Sequence, residues 1–359
     1  MVLVCRFSVS CRVMKWETSI LTTDGGAQVQ AVEPVIVSAS RATDIPAFWA
    51  DWFFGRLRAG YSVWVNPFDR KRSYISYART RLIVFWSKNP APLLAHLPEL
   101  EQRGIHCYVQ FMLNDYEREG LEPGVPPLTQ RIDTFRRLVD RLGLGRVIWR
   151  FDPLVLTRRT GVAELLERAA AIGDQLKGYT ERMVFSFVDL AAYRGVALRM
   201  ARTGLGCREF TPEEMTLWAE GLSALNGRWN FELATCAEEI DLRRFGIEHN
   251  RCVDDRLMIR YFSEDRELMR FLEWPERYRT DTFLPLATSP NRDRGQRRAC
   301  GCVWSKDIGA YGTCRHGCLY CYAARRMGMG SGALRAGASW PESLQELAGG
   351  FTGVVPENR

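Results

Sequence analysis

From Val35 onward the chain alternates between two hydrophobic rhythms. Short runs rich in β-branched and aromatic residues come first: "VIVSAS" (35–40), "SVWVNP" (62–67), "RLIVFWSKN" (81–89), "HCYVQFMLN" (106–114), "RVIWRFDP" (146–153), "RMVFSFVD" (182–189) and "WNFELATC" (229–236). Such runs predict buried strands. Between them lie stretches with apolar residues at helical spacing. "IPAFWADWFFGRLRAG" carries Phe48, Trp52 and Leu57, "PLLAHLPELEQRG" ends on a glycine stop, and "LTQRIDTFRRLVDRLG" sets Ile132, Phe135, Leu138 and Val139 on one stripe. "GVAELLERAAAIGDQL" and "TPEEMTLWAEGLSALNG" follow. In the last, Thr211, Pro212 and Glu214 spell an N-cap, a first-turn proline and a capping-box acid. A row of strand–helix repeats implies parallel strands with crossover helices. Seven or eight such units over this length fit a (β/α) TIM-like barrel better than an open doubly wound sheet. No Gly-rich phosphate loop follows the first strand, which argues against a dinucleotide-binding sheet. "CVDDRLMIRYF" (252–262) is the best candidate for an eighth strand.

The same pattern divides the chain. Residues 1–34 form an N-terminal extension, with "DGG" (24–26) as a hairpin turn. The first 13 residues fit no element, so Met14 is a candidate start. Residues 35–274 are the barrel, 275–299 a connecting segment, 300–330 a cysteine-rich loop and 331–359 a tail. No run of about 18 apolar residues is present, so no membrane span is expected. Arg6 and Arg12 break the N-terminus as a secretion signal, and a cytoplasmic protein is expected. The net charge of +7 is mild for 359 residues. One basic stretch, "NRDRGQRR" (291–298), reads either as a solvated loop or as an attractor of anions. On the second reading Arg292, Arg294, Arg297 and Arg298 would meet nucleic-acid phosphates.

In a barrel the site forms at the C-terminal ends of the strands. Here those ends are polar: Ser38, Ser40, Arg41 and Asp44; Asn66 and Asp69; Lys88 and Asn89; Gln110 and Asn114; Arg150 and Asp152; Ser186 and Asp189; Glu232, Thr235 and Cys236. Singly, each reads as a turn or cap residue; Asp44 before Ile45-Pro46 is a ready helix cap, and Arg150 and Asp152 share a strand face and can pair with each other. Together they predict a polar ligand at the mouth, with Arg41, Asp44, Lys88, Arg150, Asp152 and Glu232 contacting cofactor or substrate. His96, His106, His249 and His316 are dispersed and form no metal set.

Five of the 11 cysteines fall within residues 300–321. Clustered cysteines in a reducing compartment indicate metal binding or redox chemistry. "TCRHGCLYCYA" (313–323) spaces Cys314, Cys318 and Cys321 as C-x3-C-x2-C. Three thiolates on a cubane [4Fe–4S] cluster leave one iron open to a substrate or cofactor, and a fourth would close it. This spacing, with Tyr320 before the last cysteine, resembles the cluster motif of radical S-adenosylmethionine enzymes. The resemblance implies a [4Fe–4S] cluster, S-adenosylmethionine on the open iron and a one-electron donor.

More widely, "SASRATDIPAFWADWF", "VNPFD", "VFWSKNP", "RVIWRFDPL", "CAEEIDLRRFGIEHNRCVDD" and "CGCVWSKDIGAYGTCRHGCLYCYA" resemble the bacterial family called domain of unknown function 1848, from about Val35 to Ala323. That family's C-terminal cysteines are regarded as similar to the radical S-adenosylmethionine motif. Two features depart from ordinary members of that superfamily: the cysteine loop follows the last strand, not the first, and no "GGE"-like segment is present. In a closed ring, a loop from the last strand still reaches over the mouth near the first. Cys300 and Cys302 leave three alternatives open: a zinc knot using any four of the five thiols, a closed cluster with Cys302 as fourth ligand, or a separate role with Cys236 and Cys252, which the family resemblance picks out. The expectation is a radical S-adenosylmethionine-type enzyme acting on a polar small-molecule or macromolecular substrate. The alternatives are a zinc- or closed-cluster-stabilised binding protein without radical chemistry, and an iron–sulfur enzyme acting on nucleic acid.

Overall fold

A computed structural model of the chain describes residues 16–274, 291–293, 295–324 and 340–347. Most of the connecting segment and the tail, and the region around Met14, lie outside these residues. The extension opens with β1 (Glu17–Thr22) and β2 (Gln28–Glu33), which pair antiparallel across the Asp24–Gly26 turn as the "DGG" signal predicts. β3 (Ile36–Ala39) follows, then α1 (Ile45–Phe48) and α2 (Ala50–Ala59).

β4 (Tyr61–Val65) corrects the strand count. It pairs antiparallel with β5 (Arg72–Ser76), and β5 pairs parallel with β2, giving a small sheet in the order β1-β2-β5-β4. The cause is a local turn. Asn66 and Asp69 accept from the backbone N–H groups of Phe68 (2.9 Å) and Lys71 (3.0 Å), folding the chain back on itself. Asn66 and Asp69 are thus hairpin residues.

The remaining elements are β6 (Leu82–Ser87), α3 (Leu97–Gln102), β7 (His106–Met112), α4 (Leu128–Leu142), β8 (Val147–Leu154), α5 (Val162–Leu176), β9 (Arg182–Phe187), α6 (Arg194–Arg202), α7 (Pro212–Asn226), β10 (Glu232–Thr235), β11 (Ile247–His249), α8 (Asp255–Phe262), α9 (Arg266–Leu272), β12 (Lys306–Asp307) and α10 (Leu344–Leu347). α7 begins with the expected capping box between Thr211 and Glu214. The expected eighth strand is instead the helix α8. Asp254 caps it by accepting from the Arg256 N–H, and Leu257, Met258 and Phe262 are buried on one side while Arg256 and Arg260 are exposed. That burial has helical, not alternating, spacing.

Eight strands form one parallel sheet in the order β11-β10-β9-β8-β7-β6-β3-β12. From β3 to β11 the order follows the chain without reversal, and β12 returns to the far side of β3. Alternation splits each strand between two cores. Ile83, Phe85, Val109, Phe111, Trp149, Phe151 and Phe185 face α2 to α5 and α7. Leu82, Val84, Trp86, Tyr108, Ile148 and Val184 face the opposite way, against α8, α9 and the Cys300–Val303 segment.

Two substitutions separate the contributions. Leu268→Ala empties a fully buried position of α9 in the second core and is expected to cost about 2–5 kcal/mol. Thr211→Ala removes one cap and is expected to cost about 1 kcal/mol. Urea unfolding followed by tryptophan fluorescence measures both; equal losses would mean that α8 and α9 are not integral to the fold.

Candidate functional site: a cysteine loop on the polar strand ends

The alternation that turns Leu82, Val84 and Trp86 toward the second core continues to Lys88. On β7 it runs from Tyr108 through Gln110 and Met112 to Asn114, and on β8 from Ile148 to Arg150 and Asp152. The face therefore changes from apolar to polar toward the C-terminal ends. β12 delivers the cysteine loop there. Lys306 and Asp307 pair with Val37 and Ser38. The Asp307 carboxylate accepts from the hydroxyls of Ser38 (3.2 Å) and Ser40 (3.1 Å) and from the backbone N–H groups of Arg41 (3.0 Å) and Gly309 (2.7 Å).

Asp44 then fastens the loop. It caps α1 through the Ala47 N–H (2.9 Å), as expected, and also accepts from the Ser87 hydroxyl (2.7 Å) and the Lys88 N–H (2.8 Å). Its outer oxygen meets His316 Nε2 at 2.8 Å, while His316 Nδ1 lies 3.0 Å from the Gly124 carbonyl. The Leu319 N–H donates to Leu121 O (2.9 Å), and Arg199 donates to the carbonyls of Leu319 (3.1 Å) and Cys321. Gly317 supplies a φ of +67° between His316 and Cys318, a conformation other residues rarely take.

Beneath Cys318 lies a buried polar network. Lys88 Nζ donates to Glu122 (2.7 Å) and to the Tyr320 hydroxyl (2.8 Å); Asn114 donates to both at 3.1 Å; and Tyr320 donates to Glu122. Burial opposes the Glu122 charge, but Lys88 and Arg131 outweigh it and its pKa is lowered. Burial likewise opposes the Lys88 charge, and Glu122 and Cys318 outweigh it, so its pKa is raised. The three loop thiols are shifted upward. Burial with the Asp44 charge pushes Cys314 to about 12, and burial raises Cys318 and Cys321, with Lys88 opposing both. Cys321 raises the pKa of both Cys314 and Cys318, and Cys314 raises that of Cys318, so the three share one neighbourhood.

The expected site residues divide. Asp44 and Lys88 sit directly under the loop. Arg41 joins it through its backbone carbonyl, which accepts from the Tyr322 hydroxyl (2.8 Å). Its guanidinium lies 3.5 Å from Asp293 and over the Trp86 ring, and its Nη2 is buried with no hydrogen-bond partner among the described residues. Arg150 and Asp152 pair (3.0 Å), as their shared face suggests. Arg150 also donates to Gln110 (3.2 Å) and to Cys252 Sγ (2.9 Å). Glu232 is not brought to this end. It is the first residue of β10, exposed, and paired with Arg182 at the start of β9 (2.7 Å). Cys300 and Cys302 stand with Cys252 in the second core, whereas Cys318 belongs to the first.

Of the basic stretch, Arg292 is spent on the carbonyls of Cys300, Arg297 and Arg298, and the Arg297 charge is opposed by burial and favoured by neighbours that include Asp189 and Glu238. Arg298 is exposed, and Arg294 lies outside the described residues. Glu238 was not anticipated. Burial pushes its pKa up to about 7; the Phe187 N–H (2.9 Å) and Arg297 pull it down, while Asp152 and Asp189 push it further up. Its only sequence signal is an acid in the turn after β10. His316, Glu122 and Asp307 also carried no local signal, because each acts on residues far away along the chain.

Among the described residues, no three or more His, Cys, Asp or Glu side chains converge on a single point where one ion would sit, and no helix is long and apolar enough to cross a membrane.

The loop's seat can be tested at Gly124. A Cβ there would stand 2.8 Å from the carbonyl oxygens of both Arg315 and His316, and backbone cannot yield cheaply. Gly124→Ala is expected to lift the loop and cost about 1–3 kcal/mol. Alkylation followed by peptide mass spectrometry should then show faster labelling of Cys314, Cys318 and Cys321, with Cys107 unchanged. Unaltered labelling of the loop would show that it does not rest on residue 124.

No curated protein and no solved structure gave a match. The family described as "Domain of unknown function (DUF1848)" matches residues 36–323, from the first strand of the large sheet to the end of the cysteine loop. The chain belongs to this family.

Proposed function

We propose that the protein is a cytoplasmic radical S-adenosylmethionine-type enzyme. In this reading its sheet curls into a (β/α) barrel, and Cys314, Cys318 and Cys321 hold a [4Fe–4S] cluster above the mouth. The observation that carries the reading is the seating of the three-cysteine loop on the C-terminal strand ends by the Asp44–His316 contact. Strand order supports the curl. From β3 to β11 there is no reversal, and right-handed crossovers put α2 to α7 on one face; α8 and α9, which link β11 to β12, pack on the other, and β12 returns beside β3 as a last strand would in a ring. The donor set suits a cubane. Three thiolates each take a different iron, so the sulfurs need not converge on one point as they must around a single ion. When bound, such a cluster supplies one electron and an open iron for the amino and carboxylate groups of S-adenosylmethionine.

The chain's own residues then have defined tasks. Lys88 holds a positive charge beside Cys318, which favours its thiolate and offsets burial. Glu122, Asn114 and Tyr320 hold that ammonium in position. Arg199 pins the loop backbone from outside. A polar substrate would meet the unused Nη2 of Arg41, the Arg150–Asp152 pair, and Glu238, whose raised pKa suits proton exchange near neutrality.

Anaerobic reconstitution with iron and sulfide, followed by reductant and S-adenosylmethionine, tests this directly. The expected result is a reduced-cluster electron paramagnetic resonance signal and formation of 5'-deoxyadenosine. Both should be lost in Cys318→Ala and retained in Glu232→Gln, because Glu232 lies at the other end of its strand. A protein that takes up no iron, or whose cluster never yields 5'-deoxyadenosine, would instead be a metal-stabilised binding protein.

A further inference from the structure

The second group of cysteines has no place in that scheme. Cys252, Cys300 and Cys302 are buried in the second core and Cys236 packs against it. Cys236 follows β10, Cys252 precedes α8, and the other two approach β12, so three separate segments contribute. Cys236 Sγ lies 3.5 Å from Cys252 Sγ. The Cys252 thiol also contacts that of Cys302, and Cys302 contacts Cys300. We infer that Cys236, Cys252, Cys300 and Cys302 form a separate tetrathiolate site for one thiophilic divalent ion of the zinc class.

Three observations converge on this. The first is spacing. Sulfurs about 2.3 Å from a tetrahedral zinc stand ~3.8 Å from one another, close to the 3.5 Å of the Cys236–Cys252 pair, whereas a cubane spreads its ligands across separate irons. The second is the donors aimed at sulfur. Cys252 Sγ accepts from Arg150 Nη1 (2.9 Å) and Asn250 Nδ2 (3.4 Å), and Cys302 Sγ accepts from the backbone N–H groups of Cys252 (3.2 Å) and Val253 (3.4 Å). Donors of this kind stabilise sulfur as thiolate and orient it. The third is charge. Four thiolates around a divalent ion keep two net negative charges. Two arginines face them: buried Arg150 touches Cys252, and half-buried Arg41 lies close enough to Cys302 and Cys252 for their thiolates to favour its charge. As they stand, the four sulfurs run as a chain from Cys236 to Cys300 and do not surround a common point. Binding therefore requires the two end sulfurs to move toward a common point.

The test uses full-length protein purified anaerobically in reductant, stripped with chelator and titrated with Co2+. The expected result is one equivalent of cobalt with the intense sulfur-to-cobalt charge-transfer absorption of a tetrathiolate, displaced by Zn2+. It should persist in Cys318→Ser and disappear in Cys252→Ser and in Cys302→Ser. If either serine variant fails to fold, wild type still decides: bound Zn2+ should protect Cys236, Cys252, Cys300 and Cys302 from alkylation while Cys314, Cys318 and Cys321 react. Any of three results would overturn the inference. These are no charge-transfer band in wild type with all thiols reduced, a band that survives loss of Cys252, or acid-labile sulfide that survives loss of Cys318 but not of Cys252. The last would put a cluster at the second site. None of these outcomes depends on 5'-deoxyadenosine, so the two proposals stand or fall separately.

Discussion

One buried carboxylate holds the candidate site together. Asp44 lies at the exit of the first strand of the large sheet and joins three parts of the chain: it accepts three hydrogen bonds from the start of α1 and the end of β6, and it meets His316 Nε2 of the cysteine loop at 2.8 Å. A buried carboxylate left short of donors costs far more than one net hydrogen bond contributes. Its partners are therefore obliged to stay. Ser87 and Lys88 are fixed at the strand end, which aims the Lys88 side chain at Glu122 and Tyr320. His316 is fixed at the middle of the loop, which sets Cys314 and Cys318 to either side of it. Asp307 plays the parallel role one step earlier, tying β12 to Ser38, Ser40 and Arg41. Together the two acids explain how a segment some 270 residues after β3 comes to lie over its end.

Much of this architecture is legible in the sequence, because it rests on periodicity. Six of the seven predicted runs enter the large sheet, since each is a short apolar stretch that only two-sided burial satisfies. The run at 62–67 misled because its strand is real but its partner is not the large sheet. Asn66 and Asp69 close a hairpin, and turn chemistry outranked the apparent repeat. The run at 252–262 misled because an apolar stretch bearing Val253, Leu257, Met258 and Phe262 is compatible with either period over so short a window. Its capping acid, Asp254, was the signal that separates the two.

The site was less legible, and for a physical reason. Strand ends can be located from the pattern, so Arg41, Asp44, Lys88, Arg150 and Asp152 could be placed. Glu232 was misplaced by a shift of strand boundary alone: β10 starts, not ends, at that residue. What the pattern cannot convey is which distant side chain answers each charge. Glu122 lies in a loop before α4 and His316 in the cysteine loop, and neither neighbourhood hints at Lys88 or Asp44. The same holds for Cys236 and Cys252, which are 16 residues apart in sequence yet in sulfur contact.

The two cysteine sets are best understood as answers to one electrostatic problem at two places on one sheet, its C-terminal strand ends and the second core. A buried thiol resists ionisation, so a site that is to hold metal through thiolates must supply positive charge or N–H donors nearby. The loop does so sparingly: Lys88 lies beneath Cys318, and Arg199 acts mainly on the backbone. Its thiols remain shifted upward, as do Cys236, Cys252 and Cys302 of the other set, while Cys300 is shifted down; at both places much of the compensating charge would have to arrive with a metal. The inner set is served more densely, by a guanidinium, an amide and two backbone N–H groups on two sulfurs. Arg150 belongs to that inner set and, through Asp152, to the polar strand ends as well. A single arginine thus couples the charge at Cys252 to the position of the carboxylate at the mouth. Under the two proposals above, metal on Cys252 would bear on a ligand at the strand ends through that residue, with no need for the two cysteine sets to touch.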